Sequence, residues 1–224
     1  MKMKRLFNFG FDEPYILFVS IFSGLILIGF NFKKSWRWGV LLLLFGLWMV
    51  FANWQKYRLI DRLISKNDLS NVKKGLDLGS GSGYFLIDAV KNTKLSYFVG
   101  VEDQYQNSKR IRRNVDKYHV QNQVNIINQD IHELSYANRS FDLITASNEN
   151  NSNITSTNAK EYQSLCDEIY RMLKPNCKFM MVNTPRITKK MAKYFESKGA
   201  NVQMSKIKIQ PLWGLRTLVM TKKY

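Results

Sequence analysis

Two long apolar stretches lie near the start of the chain, and no charged residue interrupts either: "PYILFVSIFSGLILIGFNF" over residues 14–32 and "WGVLLLLFGLWMVFANWQ" over residues 38–55. As helices, each is just long enough to cross roughly 30 Å of hydrocarbon. Neither shows the polar stripe of a helix on a soluble core or the strongly polar face of one lying in an interface. Trp36, Trp38, Trp54 and Tyr57 fall at the ends of the runs, where amphipathic rings prefer the headgroup layer. The pattern predicts a helical hairpin in a membrane over residues 1–57, turned at "KKSWR". Asp12, Glu13 and the second apolar run argue against a cleaved secretory signal. Lys2, Lys4, Arg5, Lys56, Arg58, Arg62 and Lys66 flank the hairpin on the side of its termini, against Lys33, Lys34 and Arg37 at its turn. That excess places both termini in the cytoplasm, at the cell membrane.

The period of the pattern changes after residue 58. "KYRLIDRLISK" has apolar residues at helical spacing, and short apolar runs then alternate with helical segments. Strands are predicted at "KGLDL", "LSYFVGVEDQ", "VNIINQD", "SFDLITASN" and "KFMMVNTP". Helices are predicted at "YFLIDAVKNT", "QNSKRIRRNVDKYHV", "AKEYQSLCDEIYRMLKP", closed by Pro175, and "RITKKMAKYFESKG". Two last strands, "VQMSKIKI" and "LWGLRTLVMTKK", have only "QPLWG" at their junction, so they should pair antiparallel at a sheet edge. Alternation implies an α/β class: a Rossmann-like, doubly wound, mostly parallel seven-stranded sheet over residues 58–224, with an antiparallel C-terminal edge strand.

The turn after the first strand holds the candidate chemistry. In "LDLGSGSGYF", Gly79, Gly81 and Gly83 stand at alternate positions after Asp77, leaving backbone that a ligand can approach. Ligands of doubly wound sheets sit beyond the carboxyl ends of the strands, where the strand order reverses. Glu102 ends the second strand, 19 residues after Gly83, where a carboxylate can take two ribose hydroxyls. Asp130 ends the third strand, placed to accept from an adenine amino group. The G-x-G-x-x-G fingerprint of nicotinamide enzymes is broken by Tyr84.

"LDLGSGSG", "VGVED", "NQDIHEL", "SFDLITAS" and "RMLKP" stand in the order and spacing of class I S-adenosylmethionine-dependent methyltransferases, and residues 58–224 resemble that family, in particular the group that includes quinone-ring methyltransferases. The resemblance implies S-adenosyl-L-methionine as cofactor. Asp77, Gly79, Ser80, Gly81 and Gly83 would surround its methionine end, Glu102 would bind the ribose, and Asp103, Asp130 and Ile131 would meet the adenine. The chain departs from the family at Asn176 and Cys177, where two glycines are common, and at "ASNENNSNITSTNAKEY", where no substrate-facing histidine stands. Asn148, Glu149 and Asn150 are the substrate-facing candidates of that segment, Glu149 as a base if the acceptor must lose a proton. The same segment leaves open an alternative, a cofactor-binding sensor or scaffold without turnover.

Charge adds a partner. Of a net +17, the stretch 171–224 holds thirteen Lys/Arg against Glu196 alone. Arg186, Lys189, Lys190 and Lys193 share one predicted helix, while Lys206, Lys208 and Arg216 fall on the last strands. Anionic headgroups suit such a face. Nucleic acid is not expected, since no recognised binding module or aromatic platform accompanies the charge. Cys166 and Cys177 are too few for a disulfide framework or a zinc site and read as packing residues in a reducing compartment; no metal is expected. The acceptor is expected to be a lipid, a quinone-like compound or another membrane-associated molecule.

Overall fold

The computed structural model describes Phe9 and residues 14–29, 36–93, 97–103, 105–131, 134–147, 159–205 and 214–223. The chain divides into two compact units, Met1–Arg58 and Leu59–Tyr224. The first holds helix α1 (Pro14–Gly29) and most of α2 (Trp36–Lys66). Of the predicted turn at residues 33–37, residues 33–35 lie outside the described residues, and Trp36 and Arg37 already belong to α2. Only α2, at 31 residues, is long and apolar enough to cross a membrane among the described helices, and a core helix can pass the same test. The 16 residues of α1 rise about 24 Å, short of the roughly 30 Å of a perpendicular crossing. Where two helical segments are predicted after Trp36, the structure has one, because no Pro or Gly interrupts the backbone between Trp54 and Lys66.

In this unit α1 and α2 pack closely through small residues. A Cβ on Gly24 would fall 2.8 Å from the carbonyl oxygen of Gly39, one on Gly39 would fall 2.8 Å from that of Gly24, and one on Gly46 would fall 2.6 Å from Ile21 Cγ1. The outward faces of α1 and α2 are apolar. Every large exposed apolar side chain among the described residues lies on them except Tyr97, Tyr105 and Met204.

The second unit is a seven-stranded sheet. Its strands are β1 (Lys74–Leu78), β2 (Tyr97–Glu102), β3 (Val124–Asn128), β4 (Phe141–Ser147), β5 (Leu173–Asn183), β6 (Asn201–Met204) and β7 (Arg216–Thr221). Helices α3 (Tyr84–Lys91), α4 (Tyr105–Lys117), α5 (Ala159–Met172) and α6 (Pro185–Ser197) connect them. The order is β3-β2-β1-β4-β5-β7-β6. Strands β1 to β5 pair in parallel, while β7 is antiparallel to both β5 and β6.

One face of the sheet, bearing Leu76, Val99, Ile144, Phe179, Met181 and Leu218, forms the main core with Leu165, Ile169, Met191 and Phe195 of α5 and α6. Gly100 has the opposite parity to Val99 and Val101, so it faces the other way. There its missing side chain makes room for Leu86 of α3, which would lie 2.9 Å from a Cβ. With both faces covered, β1 is buried at each of its last four residues, 75–78.

Two expectations change. The C-terminal strand β7 is not the edge; it lies between β5 and β6, and β6 is the edge. Leu218 and Met220 of β7 are fully buried, whereas Asn201 and Gln203 of β6 are exposed, so the apolar strand takes the inner place and the polar one the rim. The periodic helix also stops at Met172, before Pro175, and β5 begins at Leu173. Its last carbonyls are taken from outside: the amides of Arg139 and Ser140 donate to Arg171 and Met172, and the buried Lys222 ammonium donates to the carbonyls of Tyr170 and Leu173 at 2.7 and 2.8 Å. Residues 174–177 then bulge between the pairs Phe141 with Leu173 and Leu143 with Lys178.

Candidate functional site

Strand order reverses between β1 and β4, and the glycine turn follows β1 at that point. Gly79, Gly81 and Gly83 have φ of 65°, 52° and 75°, a left-handed region that a side chain disfavours. Hydrogen bonds fix the turn from every side. The Ser80 amide donates to Val101 O at 3.1 Å and the Gly83 amide to Ser80 O at 2.7 Å. Ser80 Oγ donates to Asp77 O at 3.1 Å. Gly83 caps α3, and the Ile87 amide donates to its carbonyl.

The predicted acids converge on this turn. Glu102, fully buried at the end of β2, accepts the Gly81 amide on Oε2 at 2.8 Å and Asn107 Nδ2 on Oε1 at 3.4 Å. Its own carbonyl accepts Asn128 Nδ2 at 2.9 Å. A buried carboxylate without such donors would be costly; here backbone and amide donors compensate it. Asp77, 1% exposed, accepts a short hydrogen bond on Oδ1 from Thr145 Oγ1 of β4. Asp103 and Asp130 follow β2 and β3 at half-buried positions, and Ile131 is buried. Asn148, Glu149 and Asn150 lie outside the described residues, directly after β4.

Several residues of the site carry no motif. Thr145 orients Asp77, Asn114 Nδ2 of α4 donates to Ser82 O at 2.8 Å, and the buried Tyr84 hydroxyl donates to Asp61 of α2 in a short hydrogen bond. A sequence signal exists for two: Ser108 and Asn114 sit on the inward stripe of α4 with Ile111 and Val115 and are buried with them, where a polar side chain needs a specific partner.

The cysteines are packing residues: burial pushes the Cys166 thiol up to about 12, and burial likewise raises Cys177. Burial also raises the Tyr162 phenol above its ordinary value. Among the described residues no group of His, Cys, Asp and Glu could hold a metal ion. Two surface cavities, of about 400 and 320 Å³, open at the opposite end of the strands, near Arg139 and Lys223 and near Asp68 and Asp142. Neither is lined by the glycine turn.

Residues 76–176 match the model of a family described as a methyltransferase domain. No curated protein matches the chain by sequence. Similar solved structures include precorrin-6y C5,15-methyltransferase from Geobacter metallireducens GS-15, 16% identical over 74% of this chain and 88% of that chain, with a TM-score of 0.59. A SAM-dependent O-methyltransferase from Thermotoga maritima is 14% identical over 75% of this chain and 65% of that one, TM-score 0.60. An O-methyltransferase family protein from Burkholderia thailandensis is 11% identical over 94% and 73%, TM-score 0.61. These likenesses establish a Rossmann-like methyltransferase fold.

Proposed function

We propose that this chain, which carries a methyltransferase domain over residues 76–176, is a membrane-anchored enzyme that moves a methyl group from S-adenosylmethionine to a lipid, quinone-like or other membrane-borne acceptor. The domain makes the chain a methyltransferase, and S-adenosylmethionine is the cofactor of that class. The observation that carries the site assignment is the bond from the Gly81 amide to Glu102 Oε2, at the carboxyl ends of β1 and β2. It joins a turn of three left-handed glycines to a buried carboxylate. Bare backbone on one side and a carboxylate on the other suit the amino-acid end and the ribose of a sulfur nucleoside.

In this reading Asp77, Gly79, Ser80, Gly81 and Gly83 hold the methionine portion, Glu102 accepts the ribose hydroxyls, and Asp103, Asp130 and Ile131 border the adenine. When bound, the cofactor supplies an electrophilic methyl and its own leaving group. The task of the protein is then to orient and to exclude water, and orientation alone lowers such barriers substantially. Thr145 fixes Asp77, and Asn114 fixes the turn at Ser82. Asn148 and Glu149 follow β4 and are assigned to the acceptor side, Glu149 as base for an acceptor that must lose a proton.

Anchoring is supported by the apolar exposed faces of α1 and α2 and by their approach through Gly24, Gly39 and Gly46, since small residues at helix contacts are typical of lipid-embedded pairs. The excess of Lys and Arg beside the chain termini supports a cytoplasmic catalytic unit. The test is to incubate membranes holding the full chain with methyl-labelled S-adenosylmethionine, beside a Gly81→Arg variant, and to extract lipids. Label in a lipid fraction with the wild type alone is expected. Cofactor binding with no labelled product would favour a sensor or scaffold, and no cofactor binding would overturn the site.

A further inference from the structure

The helix α6 carries a charge pattern that its own surroundings do not explain. Its inward side is Thr188, Met191, Ala192 and Phe195, all buried. Its outward side shows Arg186, Lys189, Lys190 and Lys193, all exposed. The spacing of three, four and seven residues sets the four cations in one stripe, where like charges destabilise a helix. Arg186 lies in the first turn of α6, the end at which the helix dipole disfavours cations, and that turn holds no acid, while the stripe runs on to Lys193, past the middle of the helix. Among the described residues none of the four forms a salt bridge. Lys190 instead stands 3.9 Å above the ring of Tyr162. One turn beyond the stripe the pattern changes: Glu196 follows, and Lys198 is paired with Asp167 at 2.9 Å. Unbalanced charge therefore runs over residues 186–193 and stops before the last turn of the helix.

The start of the stripe has a defined place. Pro185 stands two residues after Asn183, the last residue of β5, so the stripe begins at the carboxyl ends of the strands, the end that holds the glycine turn. We infer that the Arg186–Lys189–Lys190–Lys193 stripe is a docking surface for anionic lipid headgroups, which draws the cofactor end of the sheet toward the bilayer. The inference rests on the membrane reading above, because a tether in the same chain raises the local concentration of headgroups around the stripe. It narrows the acceptor to a molecule presented at an anionic membrane surface. Nucleic acid is the weaker occupant, since among the described residues the exposed aromatic rings of this unit, Tyr97 and Tyr105, lie on β2 and α4 and not on α6.

The experiment uses the full chain reconstituted into vesicles of phosphatidylcholine alone and of phosphatidylcholine with roughly a quarter phosphatidylglycerol, an anionic fraction sufficient to attract basic segments. An amine reagent labels exposed lysines, and mass spectrometry reads each site. Lys189, Lys190 and Lys193 should label several-fold more slowly on the anionic vesicles, with Lys91 of α3 unchanged. The difference should vanish at about 0.5 M salt, where screening acts over only a few ångströms. Equal labelling on both vesicles overturns the inference, as does protection conferred by added RNA but not by phosphatidylglycerol. Flotation separates the two readings. A chain that floats with phosphatidylcholine yet shows no lipid-dependent protection keeps the anchor and loses the docking surface. A chain that floats only with phosphatidylglycerol vesicles, with the stripe protected, keeps the docking surface and loses the apolar anchor.

Discussion

At the scale of single residues, the site is a set of buried polar groups whose partners are specified one by one. Glu102 is the most constrained, fully buried with the Gly81 amide on one oxygen and Asn107 near the other. Hydrogen bonds to charged groups contribute roughly 1.5–3 kcal/mol, so Glu102→Ala should weaken binding of S-adenosylhomocysteine about tenfold to a hundredfold. Calorimetric titration of the wild type and the variant checks this, and unchanged affinity would remove Glu102 from the cofactor site. Glu102→Gln, which keeps one acceptor oxygen, should fall between the two. The glycines and the strand-end acids were legible in the chain because alternate glycines after an apolar strand have few other uses. Thr145 and Asp61 were not legible, and for Asn114 the inward stripe of α4 signalled a partner without naming it. Each of the three acts on a residue 23 to 68 positions away, and nothing local distinguishes Thr145 or Asp61 from an ordinary surface Thr or Asp.

At the scale of elements, close approach and charge pairing decide which contacts survive substitution. Gly39 of α2 leaves no room for a side chain against the Gly24 carbonyl. Gly39→Leu should separate α1 from α2 and lower, several-fold, the yield of a disulfide formed between Ile21→Cys and Gly46→Cys in vesicles. An unchanged yield would mean that the helices do not meet through their glycines. Asp142 ties three strands: it accepts the amide of Lys73, just before β1, and that of Lys74, the first residue of β1, and pairs with Lys174 of β5 at 2.7 Å. Burial acts to raise its carboxyl, but Lys174 and the two amides outweigh that and hold it below the ordinary carboxylate value. A depressed carboxyl stabilises the fold above its unfolded-state value, and that stability is lost as pH falls below about 4. Asp142→Asn should therefore lower stability by about 1 kcal/mol at neutral pH and flatten the acid limb, as thermal melts from pH 3 to pH 7 would reveal.

For the molecule as a whole, the catalytic unit depends on one core between the sheet and the α5–α6 pair. Phe179 and Phe195 are fully buried there, their rings 5.7 Å apart and steeply inclined. Phe195→Ala should cost about 3–5 kcal/mol, read as a fall in the denaturant midpoint of the catalytic unit within the full chain; a loss under 1 kcal/mol would show that α6 is not held by this contact. By itself the sequence determined the α/β alternation, the glycine turn with its acids, and the apolar character of the N-terminal helices, because periodicity, turn chemistry and charge-free length are local properties. Only the tertiary structure decided that β7 lies inside the sheet and β6 at its rim, that the helix before β5 ends at Met172, and that Thr145 and Asn114 serve the turn. Strand order depends on which apolar surface is left to cover once all the other strands are placed, and a buried hydroxyl or amide finds its partner only when distant elements meet.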